Sequence, residues 1–308
     1  MKATYKKSLF LLLAVVVSFI FGWFGHYYIV MLKDRKEASL VLAQHSLKKD
    51  NLRRAMLREI KKFKGEAAVF IKDLNSGWEF THNGTTLFPA ASLAKIPIMV
   101  ASFLAAQEGR LKLDRVITLK SSYKLPGSGF LKAMPAGSSF TVEKLIGLMI
   151  YESDNTATNI VTNIVGVDYI NSICKKLGLR DTVLSRRVAD YALRDKGIEN
   201  YTTAQDIATL LEKIYRKELG INISERCLGI MKLTRINDRI PKYLPASVTI
   251  AHKTGLEQGI CHDAGIVFCY PNDFIIVVLT KHHNSYSNDS KEFIARVAQQ
   301  AYLHLAKQ

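Results

Sequence analysis

Ser92 and Lys95 stand three positions apart in Ser92-Leu-Ala-Lys95, Ser153 and Asn155 frame Ser153-Asp-Asn155, and Lys253, Thr254 and Gly255 are consecutive. Residues of these types can together run an acyl transfer. A serine hydroxyl is a weak nucleophile until a base takes its proton. On a helix three residues advance about 300°, so Lys95 returns to the face of Ser92. It can be that base if burial and neighbouring cations lower its pKa. Ser92 at a helix N-terminus also meets exposed backbone N–H groups that can stabilise an oxyanion. Ser153 can relay a proton to a leaving nitrogen, and Asn155 can hold an amide through both its donor and its acceptor. Asp154 is expected to brace the turn rather than react. Lys253 and Thr254 offer a cation and a hydroxyl to a carboxylate. Gly255 lets a substrate backbone approach closely.

Each triplet also has a plain structural reading. Ser92 can be an ordinary helix cap with Lys95 a surface cation. Ser153-Asp-Asn155 can be a loop or cap, because these are the residue types that make them. Lys253-Thr-Gly255 can be a strand end. Ser-x-x-Lys occurs four times, at Ser46, Ser92, Ser121 and Ser172, and chance supplies about one or two such matches in a chain of this length. Ser-Asp-Asn and Lys-Thr-Gly occur once each, so the ordered set, with gaps of 61 and 100 residues between first members, is what separates chemistry from accident.

The elements that must position these groups come from both ends of the chain. Residues 67–74 and 78–81, separated by Asn75-Ser-Gly77, predict a β-hairpin. Residues 247–251, 264–269 and 274–280 predict three more strands, with Lys253-Thr-Gly255 closing the first. Ser290 opens a last helix carrying Phe293, Ile294, Val297, Ala301 and Leu305 on one face. Residues 38–63 lack Pro and Gly and predict a helix entering the domain. About residues 90–240 are mostly helical, with Thr141 and Thr203 as caps. The expected α+β architecture is one five-stranded antiparallel sheet, flanked by terminal helices and facing an all-helical lobe, with catalysis in the cleft between.

The 308 residues carry a net charge of +16. Residues 1–64 hold 14 Lys/Arg against 4 Asp/Glu, and the rest 29 against 23, so most of the excess is N-terminal. It lies beside Ser8 to Leu32, a run of 25 residues without Asp, Glu, Lys or Arg, roughly 37 Å as a helix. A basic stretch there suits anionic lipid better than nucleic acid, for which no motif is present. The run is longer than a cleavable signal core, and no small-x-small site or Cys follows it. Residues 1–7 are then a tail, 8–32 a transmembrane signal anchor, 33–45 a juxtamembrane linker or helix, and 46–308 the catalytic domain. Flanking Lys/Arg counts favour a cytoplasmic domain. The motifs demand an exterior one facing the periplasm or cell surface, and the motifs are given precedence. Cys174, Cys227, Cys261 and Cys269 show no metal or redox spacing and are expected as buried free thiols. No metal or other cofactor is implied, no Gly-x-Ser-x-Gly is present, and the catalytic domain is expected to be monomeric.

Tyr151-Glu-Ser-Asp-Asn-Thr-Ala-Thr-Asn159, Ala251-His-Lys-Thr-Gly255, His262-Asp-Ala-Gly-Ile-Val267, Pro126-Gly-Ser-Gly129 and Thr202-Thr-Ala-Gln-Asp206 together resemble the class A β-lactamases, penicillin-recognising active-site-serine hydrolases, from about residue 50 onward. The resemblance implies the β-lactamase/transpeptidase-like fold and an acyl-Ser92 intermediate. It implies Lys95 as base, Ser153 as proton relay and Asn155 as substrate and lysine anchor. It implies Lys253 and Thr254 as carboxylate site and the N–H groups of Ser92 and Leu256 as oxyanion hole. The family's Glu-x-x-Leu-Asn, whose glutamate activates the deacylating water, has no counterpart. Val188 falls near its position and Asp190 is the nearest carboxylate. Acylation is therefore expected to outrun deacylation. A D-alanyl-D-alanine peptidase acting on peptidoglycan stem peptides, or a sensor that stays acylated, would use the same residues.

Overall fold

Strand β1 (Glu66–Asp73) sends alternate side chains into two different apolar layers. Ala68 and Phe70 join one, while Ala67, Val69 and Ile71 join the other. Strand β9 (Phe274–Lys281) does the same, with Ile275, Val277 and Leu279 opposite Phe274, Ile276 and Val278. The period-2 geometry of a strand makes this split automatic. A sheet buried on both faces reads as a continuous apolar run rather than an alternation, which is how Phe274-Ile-Ile-Val-Val-Leu279 reads.

The computed structural model describes the backbone of residues 2–283 and 287–306, and their side chains except those of residues 2–17, 20, 25, 37–46 and 191. The chain divides into two compact units, Met1–Asn51 and Leu52–Gln308. Within the second, the sheet order is β2 (Glu79–His82), β1, β9, β8 (Ile260–Phe268), β7 (Thr249–Glu257), with every neighbouring pair antiparallel. The five expected strands are all present. β7, however, runs through Lys253-Thr-Gly255 to Glu257 instead of stopping there, because Thr254, Gly255 and Leu256 keep pairing with Asp263, His262 and Cys261. As the last strand in the order, β7 is an edge strand of the sheet.

One apolar layer contains Leu52 and Met56, from the end of α1 (Lys2–Lys62), and Phe293, Ile294, Val297 and Ala301 of α9 (Asn288–Leu305). The other is the helical lobe, built from α2 (Lys95–Gln107), α3 (Val142–Tyr151), α4 (Asn155–Val165), α5 (Val167–Lys176), α6 (Tyr191–Asp195), α7 (Ala204–Tyr215) and α8 (Ile221–Met231). Its short strands pair in twos: β3 (Phe88–Pro89) with β6 (Tyr201–Thr202), and β4 (Val116–Thr118) with β5 (Ser139–Thr141). Helix α2 is buried from Lys95 through Phe103, as expected of a helix apolar all round. Pro97 is tolerated because it sits in the first turn, where no intrahelical donor is needed. Both expected caps form: Thr141 accepts from the Lys144 N–H at 3.2 Å and Thr203 from the Asp206 N–H at 3.1 Å.

Among the described residues no helix is long and apolar enough to cross a membrane. The structure therefore lends no support to the anchor expected over residues 8–32, of which residues 8–17, 20 and 25 lie outside the described side chains. The four cysteines are free thiols, three of them buried and Cys269 half-buried.

Candidate active site

The backbone is strained beside Ser92, the expected nucleophile, and again at Ser153. Ala91 has φ +44° and Ser153 φ +53°, the left-handed region, which costs a non-glycine residue about 1–2 kcal/mol. Such strain persists only where the surroundings fix it, and it gathers at functional sites. Ser92 lies in a 3-10 turn, Ala91–Ala94, and the α-helix proper begins at Lys95. The expected helix start at Ser92 is thus a tighter turn, imposed by Ala91.

Lys95 is fully buried and donates to the Ser153 carbonyl at 2.7 Å, to Ser153 Oγ at 3.1 Å and to Asn155 Oδ1 at 3.0 Å. Lys253, also fully buried, donates to the same Ser153 Oγ at 2.9 Å and to the Thr254 carbonyl at 2.8 Å. The three motifs thus meet at one hydroxyl. Burial pulls Lys95 down to about 7, against a smaller opposing pull from Asp154 and Glu257. Burial lowers Lys253 well below the ordinary lysine range, and the adjacent Lys95 lowers it further. Two buried ammonium groups sharing one acceptor repel, so the pair is poised to pass protons rather than hold two. An ammonium has three donors. The three acceptors around Lys95 therefore match its protonated state.

Asp154 braces this arrangement, as expected. Its carboxylate caps α4 through the Ala157 N–H at 2.8 Å and holds the Leu131 N–H at 2.9 Å. Asn155 also donates to the Pro126 carbonyl at 3.1 Å. The glycines of Pro126-Gly-Ser-Gly129 follow from this packing: a Cβ at Gly129, where φ is +99°, would collide with the Asp154 carboxylate. Gly255 has a packing role besides the one expected. A Cβ there would lie 3.2 Å from the His262 Cβ and 3.4 Å from that of Ala91, so glycine lets β7 pack against the nucleophile turn. Thr254 is buried beside Lys253, and Leu256 is half-exposed at the strand edge.

His262 is structural. Its Nδ1 accepts from the Thr280 N–H at 3.1 Å, leaving Nε2–H to donate to the Pro89 carbonyl at 2.9 Å. Burial keeps it neutral, at about 4. It ties β8 and β9 to the segment entering the nucleophile turn.

The segment after α5 makes a closed loop. The Asn200 carbonyl accepts from the Ala90 N–H at 2.7 Å, and its Oδ1 accepts from the N–H groups of Ser185 and Arg186 at 2.7 and 2.9 Å. Buried Arg186 pairs with Glu199 at 2.7 Å and with Glu257 at 3.3 Å. Sequence reading missed this ion cluster: Glu257 lies 71 positions from Arg186 and no local pattern links them. Within the loop, buried Val188 is held through its carbonyl by Asn159 Nδ2 at 3.1 Å. Asp190, the carboxylate nearest the expected position of the deacylating base, is placed as the cap of α6, its carboxylate accepting from the Leu193 N–H at 3.1 Å. It has no described hydrogen bond to Lys95, Ser153 or Asn155. Short polar side chains adopt this local bond readily.

Residues 51–305 match the model of the beta-lactamase enzyme family. A beta-lactamase of Streptomyces lavendulae is 28% identical over 240 residues, covering 75% of this chain and 78% of that protein. The extended-spectrum beta-lactamase PER-1 of Pseudomonas aeruginosa is 25% identical over 233 residues, 70% of this chain and 74% of its own. Among solved structures, a beta-lactamase from Sphaerobacter thermophilus matches with TM-score 0.76 and 29% identity, over 82% of this chain and 96% of that one. PBP-A matches with TM-score 0.75 and 31% identity, over 82% and 95%. A PBP-A variant, 30% identical to this chain, was captured as an acyl-enzyme complex with penicillin-G.

Proposed function

We propose, from the premise that this chain belongs to the beta-lactamase enzyme family, that it opens β-lactam amides through an ester on Ser92 and releases that ester slowly. The observation that carries this is the hydrogen-bonded chain Lys95–Ser153–Lys253, buried and at low lysine pKa.

Neutral Lys95 takes the Ser92 hydroxyl proton as Oγ adds to the lactam carbonyl. The N–H groups of Ser92 and Leu256 receive the oxyanion. The protonated Lys95 is met by Ser153 and Asn155. As the carbon–nitrogen bond breaks, the leaving nitrogen takes the Ser153 proton, and Ser153 regains one from the flanking lysines. Lys253 and Thr254 bind the substrate carboxylate, and Asn155 holds the acyl amide. Deacylation needs a further base to aim water at the ester. Val188 is apolar, and Asp190 is committed to its cap.

A fluorescent penicillin should label Ser92, and Ser92→Ala should abolish labelling while Ser121→Ala and Ser172→Ala do not. Label retained by the Ser92→Ala protein on peptide mapping overturns the reading. A burst of product equal to the enzyme, followed by slow turnover, is expected with a chromogenic cephalosporin.

The same machinery would serve a D-alanyl-D-alanine peptidase, and the likeness to PBP-A together with the missing loop glutamate favours keeping that second reading. Release of D-alanine from a stem-peptide mimic, faster than release of a penicilloyl group, would select it. We read the catalytic unit as a monomer tethered by residues 8–32 outside the cytoplasmic membrane. This placement rests on the apolar run and on where the substrates are. A periplasm-active reporter fused after residue 64 should be active, and activity of a cytoplasm-only reporter would reverse the topology.

A further inference from the structure

Strand β7 sends alternate side chains to one face. Lys253 and Gly255 occupy the face that meets the nucleophile turn. Lys253 donates to Ser153 Oγ at 2.9 Å, and a Cβ on Gly255 would lie 3.4 Å from that of Ala91. Glu257 is the next residue on that face, and it directly follows Leu256, whose N–H is assigned to the oxyanion. A carboxylate therefore stands one strand repeat, about 7 Å, beyond the glycine that packs against the turn holding Ser92.

Electrostatics place the same group near the reaction. The carboxylates of Asp154 and Glu257 both raise the proton affinity of Lys95 against the effect of its burial. Asp154 is committed to the N–H groups of Ala157 and Leu131. Glu257 is held more loosely: the described hydrogen bond to its carboxylate comes from Arg186 Nη2 at 3.3 Å and uses Oε2, which leaves Oε1 for a water. The side chain is 11% exposed. A cavity of about 240 Å³, lined by Glu257, Glu199, Pro89 and His282 among others, lies against it, polar and large enough for ordered water. Burial raises the Glu257 carboxyl above its ordinary value, against the pull of Arg186 and with a further push from Glu199. That is the direction that suits a base working near neutral pH.

We propose that Glu257 is the base that hydrolyses the Ser92 ester, supplied by strand β7 in place of the missing loop glutamate. Its carboxylate takes one proton from a water as the water oxygen adds to the ester carbon. The proton passes on to Ser92 Oγ as the bond between that oxygen and the acyl carbon breaks, so the carboxylate and the hydroxyl are both restored and the acid departs. The hold of Arg186 on the carboxylate keeps this step slow. The inference rests on the acylation of Ser92 proposed above and adds the residue that completes turnover.

The lifetime of the benzylpenicillin adduct on Ser92, followed by intact mass, tests it. Glu257→Gln keeps an acceptor for Arg186 but removes the base. It should still form the adduct, and the adduct should last roughly ten to a hundred times longer than in the parent protein, the low end for a general base because Arg186 restrains the carboxylate. Hydroxylamine attacks an ester without needing a base, so it should clear the adduct from both proteins at similar rates. Glu257→Asp keeps the charge but withdraws it by one methylene; it should give an intermediate lifetime, and it carries the test alone if the glutamine variant does not fold. A lifetime unchanged in the variants, or hydroxylamine release slowed as much as release by water, overturns Glu257 as the base and leaves the acylation reading intact. Absence of any adduct on Ser92 of the parent protein overturns both.

Discussion

The cluster around Ser153 and the loop that follows it differ in what their polar groups are committed to. At Ser153 two buried lysines, an amide and a hydroxyl are joined by bonds of 2.7 to 3.1 Å, aimed at one another and at the place of reaction. In the loop closed by Arg186 and Glu199, the acid nearest the expected base position is spent on a helix cap, and the neighbouring buried side chain is apolar Val188. One region holds the groups that acylation needs. The other is built with comparable care around Arg186, Glu199 and Asn200, and on the proposed reading it lacks the base that deacylation needs.

The sharpest way to break this contrast is to fill the gap. Val188→Glu places a carboxylate where the loop already holds the backbone through Asn159. It should shorten the acyl-enzyme lifetime by about 10²- to 10⁴-fold, the usual contribution of a general base. Decay of the intact-mass adduct measures this, and an unchanged lifetime would mean that the loop does not face the ester.

Opening the loop is the next test. Arg186→Ala leaves buried Glu199 and half-buried Glu257 without their cation and should cost about 3–5 kcal/mol, read from urea unfolding of the catalytic unit. Penicillin acylation should persist wherever the protein stays folded. Acylation lost in folded protein would show that the two regions are not separable.

The pH dependence probes the first region alone. Burial brings Lys95 to about 7, and acylation needs its neutral form. The acylation rate should therefore rise as pH increases through about 7 and level off above it. A rate flat from roughly pH 5 to 9 would remove Lys95 as the base.

The smallest effect is expected at Asp190. Asp190→Ala removes a cap and should cost about 1 kcal/mol, while the acyl-enzyme lifetime stays within a factor of two or so. A lifetime lengthened tenfold or more would restore Asp190 as the base.

The strands, the caps at Thr141 and Thr203 and the buried thiols were legible because each depends on near neighbours in the chain. A strand's period, a cap's reach of three residues and a thiol's apolar setting are local. The ordered motifs were legible because few residue types can perform those steps. Less legible was the tight packing at Gly255, since the atoms that crowd a side chain there belong to His262 and Ala91. The Arg186–Glu257 pair was also hidden, because ion pairs leave no spacing rule in sequence. Asp190 was ambiguous for the opposite reason: a carboxylate beside an expected base position is equally a carboxylate beside a helix start.

By itself the sequence determined the residue types able to do acyl transfer, their order, and the strands and helices that carry them. These follow from side-chain chemistry and from periods of 2 and 3.6. Tertiary structure decided which of those residues meet. It brought Lys95, Ser153 and Lys253 to one hydroxyl across separations of 58 and 100 positions and buried them enough to lower both lysines. It turned Asp190 to the Leu193 N–H. Proton affinity and contact depend on what surrounds a group, and the surroundings exist only once distant segments have packed.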